Sequence, residues 1–316
     1  MMKKNIELIN KIRENVGLVI KGKDDEIDLL LTSLICGGHI LLEDVPGVGK
    51  TTLAKALAKS ISCTFKRVQF TPDLLPSDLT GVNMFNQKMN EFQFRKGPVF
   101  TNILLADEIN RATPRTQSSL LECMEERQVT VDGNTYKLDP PFFVAATQNP
   151  IENYGTFPLP EAQLDRFLMK IKLGYPKRQD EYEIIEAFNK ENPINTLSEV
   201  CSLDELLQMQ TDYKNVFVHD DIKNFIIDIS EATRNDERIE LGLSPRATMA
   251  IYKAAQAFAF INAREFVKPD DIIYLAPMVL SHRIILKSYG IKVESTSDKV
   301  ISDIVSSIPV PLESMN

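Results

Sequence analysis

A glycine-rich segment followed by a lysine and two threonines carries the clearest chemistry in this sequence of 316 residues. Residues 43–52 read EDVPGVGKTT, between a short apolar run and a helix-forming stretch. Glycines at 47 and 49 allow backbone N–H groups to face one anion, and the start of the helix adds partial positive charge. Lys50 would reach the β- and γ-phosphates of a nucleotide, and the Thr51 hydroxyl would bind Mg²⁺. The segment therefore predicts a phosphate-binding loop.

One position in this segment departs from the strict phosphate-loop pattern, which has glycine where this chain has Asp44. A Gly-Lys-Thr triplet also arises by chance in simple loops that precede helices. Support for the prediction would come from residues of matching chemistry at other strand ends, because ligands of open α/β sheets bind there.

Two further apolar runs end in polar side chains that suit phosphate chemistry. Residues 103–106 lead into Asp107 and Glu108, and residues 142–146 lead into a polar turn that contains Asn149. Asp107 would complete the shell of a Mg²⁺ ion, Glu108 would polarise an attacking water as a general base, and Asn149 would orient that water. Solvated carboxylates and a simple Asn-Pro turn are the plainer alternatives. Convergence of the three side chains at one sheet edge would favour catalysis.

Short apolar runs alternate with helix-forming stretches in the first half of the chain. The predicted strands are 39–43, 65–70, 102–106 and 142–146, and the predicted helix after the glycine-rich loop is 50–60. Buried strands that alternate with helices indicate an α/β fold with a mostly parallel sheet. From residue 180 onward we find only helical periodicity. We therefore predict an α/β nucleotide-binding domain over 1–175, including N-terminal helices, and an all-α domain over 176–316.

Two segments interrupt the α/β pattern and read as hairpins. Residues 129–138 contain an Asp-Gly pair, which suits a type I′ turn between two strands. Residues 82–95 place Phe85, Phe92 and Phe94 around a polar stretch. These rings either pack the hairpin onto the domain, which we favour, or project to grip another protein.

Composition limits the partners of the protein. Lys and Arg number 36 and Asp and Glu 44, so the net charge of −8 argues against broad binding of nucleic acid. The longest nearly apolar run, 29–36, is too short to span a bilayer, and charged residues interrupt any N-terminal export signal. Four scattered cysteines fit a reducing compartment. We expect a cytoplasmic protein that is not intrinsic to a membrane.

Taken in order, the motifs resemble those of the AAA+ ATPases and, within them, the MoxR group. The segments that carry the resemblance read GHILLEDVPGVGKT from residue 38, LADEINRA from 105, ATQNP from 146, LPEAQLDRF from 159 and GLSPRA from 242. The resemblance covers about residues 15–290 and implies a P-loop AAA+ parallel-sheet core followed by a helical lid domain. Aspartate at position 44 is common in the MoxR group, so this departure narrows the assignment.

The resemblance implies roles for the two strongest motifs. The Walker A loop would surround the phosphates with Pro46, Gly47, Val48, Gly49, Lys50, Thr51 and Thr52. The Walker B motif would be Asp107 and Glu108, and Thr51 and Asp107 would hold Mg²⁺. In this assignment Lys50 and Glu108 act directly in catalysis.

The resemblance also implies roles for residues outside these motifs. Asn149 would be sensor 1, and Arg166 the arginine finger that enters the site of a neighbouring subunit. Arg246 would be sensor 2, and its action on its own or a neighbour's nucleotide stays open. Ile20 and Gly22 match the position at which the family cups the adenine. The hairpin at 82–95 matches the helix-2 insert.

The function implied by the resemblance is Mg²⁺-dependent ATP hydrolysis in a homo-oligomer, a hexameric ring. Hydrolysis would drive chaperone-like remodelling or activation of a partner protein, such as one with a von Willebrand A domain. Alternatives are a motor that acts on nucleic acid, a magnesium-chelatase-like subunit and a non-hydrolysing ATP switch. The few basic residues in the two hairpins weaken the first alternative, and the presence of Glu108 and Asn149 weakens the last.

Overall fold

A computed structural model of the chain describes residues 2–150, 155–190, 192–287 and 296–311. The strands are β1 (Ile40–Glu43), β2 (Phe65–Gln69), β3 (Gly81–Asn86), β4 (Glu91–Lys96), β5 (Ile103–Asp107), β6 (Gln128–Val131), β7 (Asn134–Lys137), β8 (Phe143–Gln148), β9 (Met169–Ile171), β10 (Ile239–Leu241) and β11 (Ile285–Leu286). The helices are α1 (Met2–Gly17), α2 (Asp24–Ile35), α3 (Lys50–Ser60), α4 (Pro76–Thr80), α5 (Pro114–Glu126), α6 (Glu161–Leu164), α7 (Arg178–Lys190), α8 (Pro193–Thr196), α9 (Leu203–Asp212), α10 (Asp220–Asn235), α11 (Pro245–Ile261), α12 (Pro269–Leu280) and α13 (Ser297–Ser307).

Five parallel strands form the central sheet in the order β2-β5-β8-β1-β9. In β1, β5 and β8 every residue is buried except the last one. Strands covered on both faces need no polar alternation, which explains their continuous apolar sequence. Glu43 lies opposite Gln148, and Gln69 lies opposite Asp107. The carboxyl ends of these strands therefore meet at one edge of the sheet, as predicted.

Two antiparallel hairpins leave this core, β3 with β4 and β6 with β7. At the turn of the second hairpin Asp132 has φ +49° and Gly133 has φ +79°, the sign that a type I′ turn requires. The rings of Phe94 and Tyr136 stack at 4.1 Å between centroids and join the two hairpins. Both hairpins predicted from the sequence are therefore present.

The tip of the β3–β4 hairpin is apolar and exposed. Phe85 is 50% exposed and Phe92 is 72% exposed. Their rings contact each other edge to face at 5.3 Å. The expectation that the aromatic residues pack is right for Phe94 and wrong for Phe85 and Phe92. Phe92 lies two residues closer to the turn than Phe94, so it extends about 7 Å further from the domain.

The helical second half shares a hydrophobic core with the first half. One continuous cluster runs from α1, α2 and α3 through the sheet to α9–α13. Helix α2 packs against α11, and α1 packs against α3. The antiparallel pair of β10 and β11 was not predicted, because strands of three and two residues are too short to show alternation. Across the described residues, no helix is long and apolar enough to cross a membrane.

Candidate active site

The glycine-rich loop connects the end of β1 to the start of α3. Gly47 has φ +89° and Gly49 has φ +95°, backbone angles that residues with a side chain rarely adopt. A Cβ atom at Gly47 would meet nothing within 4 Å, and one at Gly49 would only reach Ile20 Cδ1 at 4.0 Å. The two glycines are therefore required by backbone conformation rather than by lack of space. Successive left-handed turns of this kind form anion-binding nests.

The loop opens into a cavity of about 440 Å³ at the carboxyl edge of the sheet. Its lining residues come from four separate stretches of the chain: Pro46, Gly47, Gly49, Lys50, Thr51, Thr52, Arg67, Gln69, Asp107, Glu108 and Asn149. Asn149 is 6% exposed, so its amide belongs to the wall of the cavity. The structure thus brings together the residues that the sequence places after three different strands. Val48 is half-buried and packs on the main hydrophobic cluster instead.

Lys50 is held at the mouth of the loop by backbone oxygens. Its Nζ donates to the carbonyl oxygen of Asp44 at 2.7 Å and to that of Val45 at 3.3 Å. Partial burial lowers the pKa of the Lys50 ammonium, and the nearby carboxylates of Asp44, Asp107 and Glu108 oppose that shift. A bound phosphate group would add negative charge beside this half-buried cation and so stabilise its protonated form further.

Asp107 is fixed by one hydrogen bond and one ion pair. Its Oδ1 accepts a hydrogen bond from Thr147 Oγ1 at 2.6 Å, and its Oδ2 accepts from Arg67 Nη2 at 2.7 Å. The Thr147 hydroxyl also accepts from the backbone N–H of Glu108 at 2.8 Å. Sequence analysis missed Arg67 and Thr147. Threonine beside the predicted Asn149 offered only a weak signal, and Arg67 offered none.

Glu108 adopts a left-handed backbone conformation, with φ +56°, directly after β5. Its Oε2 accepts a hydrogen bond from Gln69 Nε2 at 2.6 Å and lies 3.1 Å from Arg111 Nε. Non-glycine residues rarely adopt positive φ, and such residues cluster at functional sites. Gln69, which sequence analysis also missed, reaches Glu108 because its strand pairs in register with β5.

The predicted adenine cup lies beside the loop. Ile20 Cδ1 lies 4.0 Å from the position that a Cβ atom would take at Gly49. Gly22 has φ +65°, and the Asp180 carboxylate at the start of α7 packs directly against its Cα. The structure therefore places Ile20 beside the phosphate loop and Gly22 against the start of α7.

The donors in this cavity fit a magnesium–nucleotide complex. The Thr51 hydroxyl and the Asp107 carboxylate are the hard oxygen ligands that Mg²⁺ prefers. Loop amides next to Gly47 and Gly49, together with Lys50, suit a triphosphate. Both ligand sets line one cavity, so a single bound nucleotide would reach them together.

Arg166 and Arg246 lie in a different pocket of about 330 Å³, which also contains Gly38. Arg166 Nε is 3.1 Å from Glu125 Oε2, and Arg246 Nη1 is 3.0 Å from Glu125 Oε1. Gly38 precedes β1, whereas the phosphate loop follows it. The four residues of β1 separate these edges by about 13 Å. The structure therefore brings the two arginines to each other and not to the phosphate loop of their own chain.

Glu125 and Arg283 complete this arginine pocket, and sequence analysis missed both. Arg283 Nη1 is 2.8 Å from Asp165 Oδ1, and Arg246 Nε is 3.6 Å from Asp165 Oδ2. Burial lowers the pKa of Arg283 to about 10, and Asp165 opposes the shift. Asp165 directly precedes Arg166, the predicted arginine finger. Arg246 and Arg283 of the helical half therefore bind the segment that carries this residue.

Two models of known families match the chain. The ATPase family associated with various cellular activities (AAA) matches residues 39–169, which contain four of the five strands of the central sheet and both predicted catalytic motifs. The AAA lid domain matches residues 231–304 in the helical half. Together with the parallel sheet and its phosphate loop, these matches define the class of the protein: it is an AAA+ ATPase with a helical lid.

Relatives place the chain within that class. It is 50% identical to the Bacillus subtilis protein YeaC over 97% of this chain and 96% of YeaC. It is 41% identical to the chaperone MoxR1 of Mycobacterium tuberculosis over 94% of this chain and 80% of MoxR1. The crystal structure of a candidate ATPase from Cytophaga hutchinsonii superposes with a TM-score of 0.92 at 39% identity, covering 98% of this chain and 97% of that one. The chain belongs to the MoxR group of AAA+ ATPases.

Proposed function

We propose that the protein hydrolyses ATP at interfaces between identical subunits of a hexameric ring and uses the energy to remodel or activate a partner protein. The observation that carries this proposal is the distance between the two predicted halves of the site. The phosphate loop lies at the carboxyl edge of the sheet, and the Arg166–Arg246 pair lies at the amino edge. A complete site then needs the loop of one subunit and the arginines of the next.

Residues of the carboxyl edge would position and activate the attacking water. Glu108 would take the proton from this water, and the Asn149 amide would orient it towards the γ-phosphate. Lys50 would leave its two carbonyl partners and bind the β- and γ-phosphates. Mg²⁺, when bound by Thr51 and Asp107, supplies charge neutralisation on the phosphate oxygens.

The arginine pocket suits the phosphates of a neighbouring subunit. The guanidinium groups of Arg166, Arg246 and Arg283 share two carboxylates, Glu125 and Asp165, and leave an excess of positive charge. Phosphoryl transfer places growing negative charge on the leaving oxygens, and an arginine from outside the subunit is worth about 10³–10⁵ in rate in related enzymes. Hydrolysis would therefore depend on assembly.

The exposed hairpin tip supports a protein client. Its large apolar side chains are Met84, Phe85, Met89 and Phe92, each at least half exposed. Apolar surface of this kind binds proteins, whereas nucleic acid would need several phosphate-binding cations. The Mycobacterium tuberculosis relative is named a chaperone. A client engaged by this tip, or a partner with a von Willebrand A domain, fits that surface better than a DNA strand.

Three measurements test the proposed function. Purified wild type should hydrolyse ATP only with Mg²⁺ present, and light scattering after size exclusion should show a hexamer when nucleotide is added. Lys50→Ala should lose nucleotide binding, and Glu108→Gln should keep binding but lose hydrolysis. A monomer that hydrolyses ATP at the full rate, or a Glu108→Gln variant as fast as wild type, would overturn the proposal.

A further inference from the structure

Asp44, the residue that departs from the strict phosphate-loop pattern, has a buried side chain with a partner on each oxygen. It is 8% exposed. Its Oδ1 accepts a hydrogen bond from the backbone N–H of Val45 at 2.9 Å, and its Oδ2 accepts from the backbone N–H of Gly174 at 2.6 Å. A glycine at position 44 would offer neither acceptor. The carboxylate therefore joins two segments that are 130 residues apart in the chain.

Gly174 has φ +63° and lies in a short segment without regular secondary structure, residues 172–177, that connects β9 to α7 and so leads from the sheet into the helical half. We call residues 173–175 the strap. On its other side the strap is held by Lys23, whose Nζ donates to the carbonyl oxygens of Leu173 and Tyr175. The strap is thus fixed at two points, one of them the Asp44 carboxylate.

The backbone of Asp44 belongs to the phosphate loop itself. Its carbonyl oxygen accepts from Lys50 Nζ at 2.7 Å, and its N–H donates to the carbonyl oxygen of Gln148 at 3.1 Å. A phosphate would compete with that carbonyl for Lys50. One residue therefore contacts the phosphate-binding lysine, the end of β8 and the strap.

We propose that Asp44 is a positioning residue that transmits phosphate binding at the loop to the strap and from there to the helical half. Its carboxylate holds the N–H groups of Val45 and Gly174 on the same pair of oxygens, so movement of the loop start displaces the strap. The proposal rests on the ATPase function proposed above. The strap leads directly into α7, whose Asp180 carboxylate packs against Gly22, two residues after the Ile20 side chain that lies beside Gly49, so a displacement of the strap would move the start of this helix.

Hydrogen exchange of a peptide covering 172–178, measured with and without a non-hydrolysable ATP analogue, tests this transmission. In wild type the analogue should change the exchange of this peptide. Asp44→Gly restores the glycine of the strict pattern, so its analogue Kd should stay within about threefold of wild type. Its Gly174 amide should exchange about tenfold faster, the factor for one charge-assisted hydrogen bond, and the analogue should no longer alter it. kcat should fall about tenfold with KM unchanged.

Two further variants separate transmission from general loosening. Asp44→Asn keeps the volume but faces one amide N–H with its own NH₂ group, so it should also uncouple the strap. Lys23→Ala releases the other side of the strap and leaves Asp44 in place, so the analogue should still change exchange at Gly174. Far-UV circular dichroism checks that each variant is folded.

Two results would overturn the proposal. In one, the analogue shifts strap exchange in Asp44→Gly as in wild type, and kcat stays within twofold. In the other, Asp44→Gly loses nucleotide binding as Lys50→Ala does, which would make Asp44 part of phosphate binding itself. Failure of the proposed ATPase function would look different, because wild type would then neither bind the analogue nor hydrolyse ATP.

Discussion

Mixing two inactive variants should restore ATP hydrolysis, because each proposed site is built from two subunits. Lys50→Ala damages the phosphate loop and leaves the arginine pocket intact. Arg166→Ala does the reverse. Since β1 keeps these two regions about 13 Å apart within one chain, neither variant can complete a site with its own residues. In a mixed ring, an Arg166→Ala subunit can offer its intact loop to the intact Arg166 of a Lys50→Ala neighbour.

The size of the recovery follows from the geometry of the interface. Each variant alone should fall by at least about 10³, the lower value for an arginine supplied by a neighbour. In an equal mixture with random assembly, about one interface in four pairs an intact loop with an intact arginine. The mixture should therefore recover up to about a quarter of the wild-type rate per subunit. Steady-state phosphate release after subunit exchange at low salt measures it.

The matched control mixes Lys50→Ala with Glu108→Gln. Both substitutions lie on the loop side of the interface, so no combination of these subunits yields a complete site. That mixture should stay inactive at every ratio. If the mixture of Lys50→Ala and Arg166→Ala is no more active than this control, the two-subunit site is wrong.

Three further predictions concern single variants and pH. Glu108→Gln should lower kcat at least about 100-fold while calorimetry shows nucleotide affinity within about threefold, because general-base catalysis acts after binding. Phe92→Ser, at a position 72% exposed, should leave unfolding and ATPase activity unchanged but weaken binding of labelled casein in an anisotropy assay. Burial lowers the pKa of His39 and His282 to about 3, so the unfolded state binds protons first as pH falls below 6.5. Each histidine should cost about 2 kcal/mol of stability between pH 7.5 and 5 in urea unfolding, and His39→Asn should flatten this slope by about half.

The parts of the site that could be predicted are those written in short, continuous motifs. The loop around Lys50 begins a helix at the predicted residue, and Asp107 ends its strand as expected. Glycines with positive φ and carboxylates at strand ends are local features, so one sequence shows them. The Asp-Gly turn of the second hairpin is equally local.

The residues that sequence analysis missed are defined by register and packing. Arg67 and Gln69 reach the carboxylates only because β2 pairs with β5 with Gln69 opposite Asp107. No motif encodes that register. Glu125 is a surface glutamate in the sequence and becomes informative only when α11 packs so that Arg246 reaches it. The position of the helical half relative to the core depends on many weak contacts between residues that are far apart in the chain, and the periodicity of a sequence does not report such contacts.

Two sets of polar contacts connect the helical half to the core, one at each edge of the sheet. At the carboxyl edge the strap is joined to the phosphate loop by Asp44. At the amino edge Glu125 binds Arg166 of the core and Arg246 of the helical half through its two oxygens. The helical half shares one hydrophobic cluster with the sheet, and close-packed cores move as bodies rather than deforming continuously. A displacement that begins at one subunit's phosphate loop would therefore also move its arginines. If these arginines act on the neighbour's nucleotide as proposed, hydrolysis would pass from site to site around the proposed ring.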